Sequence, residues 1–96
     1  MELFVFARFH AREGKEAELA ALLREQVPFV RSEPGCLMID VYRSTRDRRL
    51  FFIHSRWTDE AAFEVHAELG NTVDFIARAE ALIDHPLDVT RSRPLG

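Results

Sequence analysis

CLMIDVYRSTRDRRLFFIHSRW, residues 36–57, reads as two strands folded back on each other. CLMIDVYRS (36–44) and LFFIHSRW (50–57) are rich in aromatic and β-branched residues, and the charged run RSTRDRR (43–49) between them fits a solvated hairpin tip. Side chains alternate faces along a strand. The odd positions (Leu37, Ile39, Val41, Phe51, Ile53, Ser55, Trp57) are almost wholly apolar, while the even ones mix Met38, Tyr42 and Phe52 with Asp40, His54 and Arg56. Pairing 40 with 54 and 42 with 52 sets Asp40 opposite His54, which predicts an ion pair or hydrogen bond between them.

The same alternation continues in LFVFARFH (3–10), with Leu3, Val5, Ala7 and Phe9 on the odd face and Phe4, Phe6, Arg8 and His10 on the even one. Between this strand and the hairpin, Gly14 opens KEAELAALLREQV, whose Leu19, Leu22, Leu23 and Val27 recur at helical spacing. Pro28 should kink or end that helix, although Phe29 and Val30 prolong the apolar stripe. Glu33-Pro34-Gly35-Cys36 has the makings of a type II turn, with Gly35 taking the positive φ. Beyond Trp57, Thr58 or Asp59 caps a helix that ends at Gly70. Asn71 and Thr72 open a second helical piece with Phe75, Ile76, Ala79, Leu82 and Ile83 on one side; His85-Pro86 stops it, and LDVTRSR (87–93) supplies a last strand.

The order βαββ(α)αβ predicts an α+β fold in a single domain, residues 1–96. It would be a ferredoxin-like split unit whose antiparallel sheet carries its helices on the odd face. Phe4, Phe6, Met38 and Phe52 would then make an apolar patch on the other face, of the kind that marks an interface, so the chain is expected to pair with a second copy of itself.

Bulk properties narrow the function. The chain has 96 residues, 47% hydrophobic and 30% charged, which suits a folded globular protein. A net charge of -3 argues against nucleic acid as a partner. No apolar run approaches the 18 or more residues of a membrane span. Cys36 is the only cysteine and Met1 leads straight into a strand without a secretory leader, so a reducing, cytoplasmic setting is expected. A catalytic thiol is not expected at Cys36. The four histidines show no zinc spacing such as HExxH, and no metal is expected.

One residue breaks the patterning. His66, nine positions after Trp57, falls among Ala62, Val65 and Leu69 on the apolar side of its helix. It reads either as a structural histidine satisfied by one hydrogen bond or as a general base over a pocket of Ile53, Ser55, Phe63 and Phe75. Burial disfavours the charged form of an imidazole, and the neutral form is the one a base needs. Trp57 and the phenylalanines suit a flat apolar ring, or ordinary core packing.

The Gly-Lys helix start, EPGC before strand two, the strand ending in Trp57 and the helical His66 together resemble the antibiotic-biosynthesis monooxygenase family, from about Leu3 to Val89. The resemblance implies a dimeric α/β barrel in which two sheets pack face to face, with a ligand cavity between sheet and helices in each protomer. It implies a cofactor-independent monooxygenase that oxidises a small aromatic quinol or anthrone with O2, with His66 catalytic and Ile53, Ser55, Trp57, Phe63 and Phe75 binding the substrate. Haem-degrading members use an Asn where this chain has Ala7, a Trp where it has His66, and a ligating His near Ile76, so haem degradation is not expected. Quinol-oxidising members often carry a second His at the place of Asn71 and a Glu at the place of Ser55. Two other classes remain open: a non-catalytic ligand-binding or stress-related dimer, and an isomerase or cyclase for polyketide-like rings.

Overall fold

The computed structural model describes residues 1–96. Its elements are β1 (Leu3–His10), α1 (Glu16–Arg31), β2 (Cys36–Arg43), β3 (Leu50–Trp57), α2 (Glu60–Glu68), α3 (Gly70–Glu80) and β4 (Asp88–Ser92). The strands form one antiparallel sheet in the order β2-β3-β1-β4, as the split βαβ unit requires. The hairpin has the register read from its pattern, with Asp40 opposite His54 and Tyr42 opposite Phe52. Leu3, Val5, Ala7, Phe9, Ile39, Phe51, Ser55 and Trp57 are buried, so the helices cover the odd face. Leu37 is the exception at 47% exposed. The ladder steps from Cys36↔Trp57 to Met38↔Arg56, leaving Leu37 as the extra residue of a bulge, and the alternation slips there.

α1 runs through Pro28 to Arg31. Pro28 is exposed, so the carbonyl it leaves unpaired can turn to water, while Val27 and Val30 on either side stay buried. α2 starts from Asp59, whose carboxylate accepts the Ala62 N–H at 2.8 Å. It ends at Glu68 rather than Gly70: Leu69 turns extended, and Gly70 begins α3. The buried stripe of α2 is also rotated from the one expected. Phe63 is its buried residue and His66 is partly buried, whereas Val65 and Leu69 face outward. A nine-residue helix at a sheet margin needs only one narrow apolar strip, and periodicity leaves its phase open. α3 stops at Glu80; Ile83, beyond it, is buried and bridges Ala11.

The predicted contact between Asp40 and His54 does not form, although the two residues are opposed. Asp40 accepts from Arg31 at the end of α1 at 3.1 Å, and Arg31 also donates to the Ile39 carbonyl. His54 lies flat on Phe6, ring centroids 4.6 Å apart, and its Nε2 is buried without a partner. A permanent guanidinium charge is the better match for the carboxylate, and the imidazole gains more from stacking. Phe6, Tyr42 and Phe52 remain 48%, 49% and 37% exposed on this even face. No helix is long and apolar enough to cross a membrane.

At the far end of β1, the His10 ring nitrogens lie 2.6 Å from the Asp84 carboxylate and 3.2 Å from that of Asp47, both acceptors, and His85 meets Asp84 at 2.7 Å. These bonds tie the hairpin tip and the segment after α3 to the sheet. The hydrogen bond from His10, then that from His85, lowers the Asp84 carboxyl from 3.8 to about 2. A pKa lower in the folded chain adds stability above the unfolded value, and that stability disappears as pH falls from about 3.8 through about 2. Asp84→Asn should therefore flatten the acid limb of a stability profile in that window. Urea midpoints measured across it check this; an unaltered acid limb would show that the network adds nothing.

Candidate functional site

The core is divided. One cluster gathers Phe9, Leu19, Leu23, Phe51, Phe75 and Ile83. A second gathers Leu3, Val27, Val30, Ile39, Trp57 and Phe63. Members of both line a cavity of about 310 Å³. Two rows of side chains crossing the sheet make its floor: Ile39, Ser55, Val5 and Arg91 in one, Ile53, Ala7 and Val89 in the other. Ala7 and Ser55 are short side chains at the centre of these rows, which leaves room above them. The helices roof it with Gln26 from α1, Phe63 and His66 from α2, and Thr72 and Phe75 from α3. His66, Ile53, Ser55, Trp57, Phe63 and Phe75, the residues singled out from the sequence, all border this one space.

His66 has a partner that its local sequence does not announce. Its Nδ1 lies 2.7 Å from Oε1 of Glu33 and 3.3 Å from the Thr72 hydroxyl. The two side chains are only 13% and 10% exposed. Glu33 reaches this position through the Glu33–Cys36 turn. Gly35 has φ +85°, and the Cys36 N–H donates to the Glu33 carbonyl at 3.2 Å, as the type II reading requires. The Gly35 carbonyl in turn accepts the Thr58 N–H at 2.9 Å, seating the turn against the start of α2. A Cβ on Gly35 would come 2.6 Å from the Ala62 Cβ, so the approach is close as well as left-handed.

In the tautomer that donates Nδ1–H to the carboxylate, the other ring nitrogen, Nε2, is left without a protein partner. A carboxylate that fixes the tautomer and ring orientation of a histidine is the arrangement that makes it a directed base. The single bond that a structural histidine needs is thus present, and the same bond leaves the other nitrogen free. The Trp57 and Phe63 rings enclose the imidazole, with centroids 4.7 and 5.5 Å away. Trp57 is itself oriented by donating its indole N–H to the Ser55 hydroxyl at 3.0 Å.

Sequence reading missed Glu33, Gln26, Thr72 and Arg91. Gln26 carried the same signal as His66, a polar residue inside the apolar stripe of Leu22, Leu23, Val27 and Val30. Glu33 carried none, because its partner is 33 positions away and only tertiary packing joins them. Arg91 donates to Glu60 and Glu64 on α2 and lies over the Phe63 ring, 5.1 Å from its centroid, at the cavity margin. Cys36 is partly buried, and burial pushes its thiol up, which keeps it protonated and unreactive.

Comparison with known proteins agrees with this architecture. The sequence profile of the antibiotic biosynthesis monooxygenase family matches residues 3–78. YcnE of Bacillus subtilis (strain 168), provisionally named a monooxygenase, is 30% identical over 86 residues, which is 90% of each chain. The structure of Rv0793 from Mycobacterium tuberculosis superposes with a TM-score of 0.92 at 27% identity, covering 100% of this chain and 97% of that one. SnoaB, a cofactor-independent oxygenase from Streptomyces nogalater, superposes with a TM-score of 0.88, covering 99% and 94%. At 18% identity that likeness extends to the fold.

Proposed function

Because the chain belongs to the antibiotic biosynthesis monooxygenase family, we propose that it is a cofactor-independent monooxygenase that oxidises a small aromatic quinol or anthrone with O2. The observation that carries this reading is the Glu33–His66 pair at the wall of an otherwise apolar cavity. A flat ring lies among Ile53, Trp57, Phe63 and Phe75, and His66 Nε2 takes its acidic proton. The resulting anion is electron-rich enough to give one electron to O2 directly. For an anthrone, the ring radical and superoxide join in a C–O bond, and the peroxide then breaks at O–O. One oxygen stays as the new carbonyl; the other leaves as water with the two hydrogens of the ring methylene. The cavity excludes bulk water from the intermediates.

An oxygen electrode tests this with a panel of quinols and anthrones. The expected result is one O2 consumed per substrate. Turnover without oxygen uptake would replace the proposal with an isomerase or cyclase, and tight binding without turnover would replace it with a ligand-binding role.

The proposal includes a cytoplasmic homodimer closed through the even sheet face. Phe6, Tyr42 and Phe52 support it, since large rings so exposed are costly on an isolated sheet. Phe52→Asp would replace an apolar ring at that contact with a hydrated carboxylate opposite Arg8, and sedimentation should then find monomer. A variant that sediments as an intact dimer would remove this face from consideration.

A further inference from the structure

Four side chains from three separate segments converge at the far end of β1. His10 lies between two carboxylates, with Asp84 Oδ1 2.6 Å from its Nδ1 and Asp47 Oδ2 3.2 Å from its Nε2. A neutral imidazole carries one N–H and can donate to only one of them, so its lone pair would face the other anion. The unserved side calls for a cation, either a second proton or a metal ion. His85 brings its own Nδ1 to the same Asp84 oxygen, at 2.7 Å. The ligand atoms of His10, Asp84 and His85 all lie within 4.8 Å of one another. Four donors held at 2.0–2.1 Å around a tetrahedral ion are about 3.3 Å apart. His85 and Asp84, 66% and 29% exposed, have the freedom to adjust to that spacing.

We infer that His10, Asp84 and His85 bind a divalent transition-metal ion of the zinc class, with Asp47 as a positioning residue. Two imidazoles and a carboxylate suit zinc, cobalt or nickel, whereas magnesium and calcium take oxygen ligands. Asp47 accepts Nε2–H of His10 and so selects the tautomer whose Nδ1 lone pair faces the ion, as outer carboxylates do at histidine–metal sites. Asp47 is itself held by the Arg49 N–H at 2.9 Å. The Arg49 guanidinium lies 3.7 Å from Asp84 Oδ2, which leaves Oδ1 as the ligand. Arg8 and Asp88, opposite each other on β1 and β4, border the adjoining space of about 260 Å³ with His10 and His85. Their charges offset, and water from that side completes the coordination. Spacing along the chain does not announce the set, because 74 positions separate His10 from Asp84.

The test adds zinc chloride alone to the full chain after chelator treatment. Calorimetry should find one ion per chain, and at a hundredfold excess over Kd the melting point should rise by about 10–20 °C. NMR of the four histidines should show His10 and His85 shifting while His54 and His66 stay in place. Asp47→Asn removes no ligand and should weaken zinc binding by about 10- to 100-fold. His85→Gln, at an exposed position that the fold does not depend on, should weaken it at least as much. Melting without metal checks that both variants are folded. Absence of zinc binding by the wild type would mean that protons alone supply the missing charge, and the inference falls. It falls equally if binding survives undiminished in His85→Gln, or if the shifts centre on His54 or His66, since the ion then sits elsewhere.

Discussion

His66→Ala is expected to slow oxygenation by about 10²- to 10⁴-fold, the usual contribution of a positioned general base, with ligand affinity little changed. The aromatic walls at Trp57, Phe63 and Phe75 do not depend on the imidazole, so the ring still has its place. Stability should fall by about 1–3 kcal/mol, because the truncation leaves the Glu33 carboxylate, 10% exposed, without its donor. Glu33→Gln is the companion variant. It keeps an acceptor for Nδ1–H but removes the charge that steadies the imidazolium formed during proton transfer, so it should lose turnover by less than His66→Ala while binding normally. Turnover and ligand binding are measured on the same folded samples. If the folded fraction of His66→Ala keeps its turnover, the Glu33–His66 bond serves packing alone.

Gly35→Ala should be the most damaging single methyl group in the chain. At φ +85° an L-residue is strained by about 1–2 kcal/mol. The new Cβ would also sit 2.6 Å from that of Ala62, and overpacking of this kind costs about 1–3 kcal/mol. The sum, about 3 kcal/mol, corresponds to a melting temperature lowered by on the order of 10–20 °C in a domain of this size. Turnover of the remaining folded protein should fall as well, since the turn that is forced to move carries Glu33. Adding Ala62→Gly removes the 2.6 Å contact but leaves the backbone strain and the 3.0 Å approach to the Thr58 hydroxyl, so it should recover part of the stability. A Gly35→Ala protein that melts with the wild type would mean the turn is free to shift away from α2.

The parts of the structure legible in the sequence are those governed by local pattern. Alternation in three strands fixed the sheet faces and the hairpin register, and Pro34-Gly35 marked its turn, because each depends on neighbours in the chain. Leu37 escaped, since a bulge shifts the face of one residue without altering composition. Val65 and Leu69 escaped because a short helix has several equally apolar phases. Opposed residues need not interact: Asp40 and His54 have the right register and different partners. In the site, His66 stood out as a polar residue on an apolar stripe, and Gln26 was legible by the same rule. Glu33 was not, because no local pattern in a turn tells which distant side chain it will meet.

The divided core has one more consequence. A domain of 96 residues has little apolar surface to spare, yet this one keeps about 310 Å³ unfilled between its two clusters. A fitting ligand supplies the contacts that the clusters cannot make with each other, so it behaves as a removable piece of the interior. Linkage then makes occupancy visible as heat resistance: at a hundredfold excess over Kd the gain is about 2.7 kcal/mol, and each kcal/mol moves the melting point of so small a domain by about 4–8 °C. A ligand for the cavity can accordingly be sought by melting curves against a compound collection, with no assumption about any reaction.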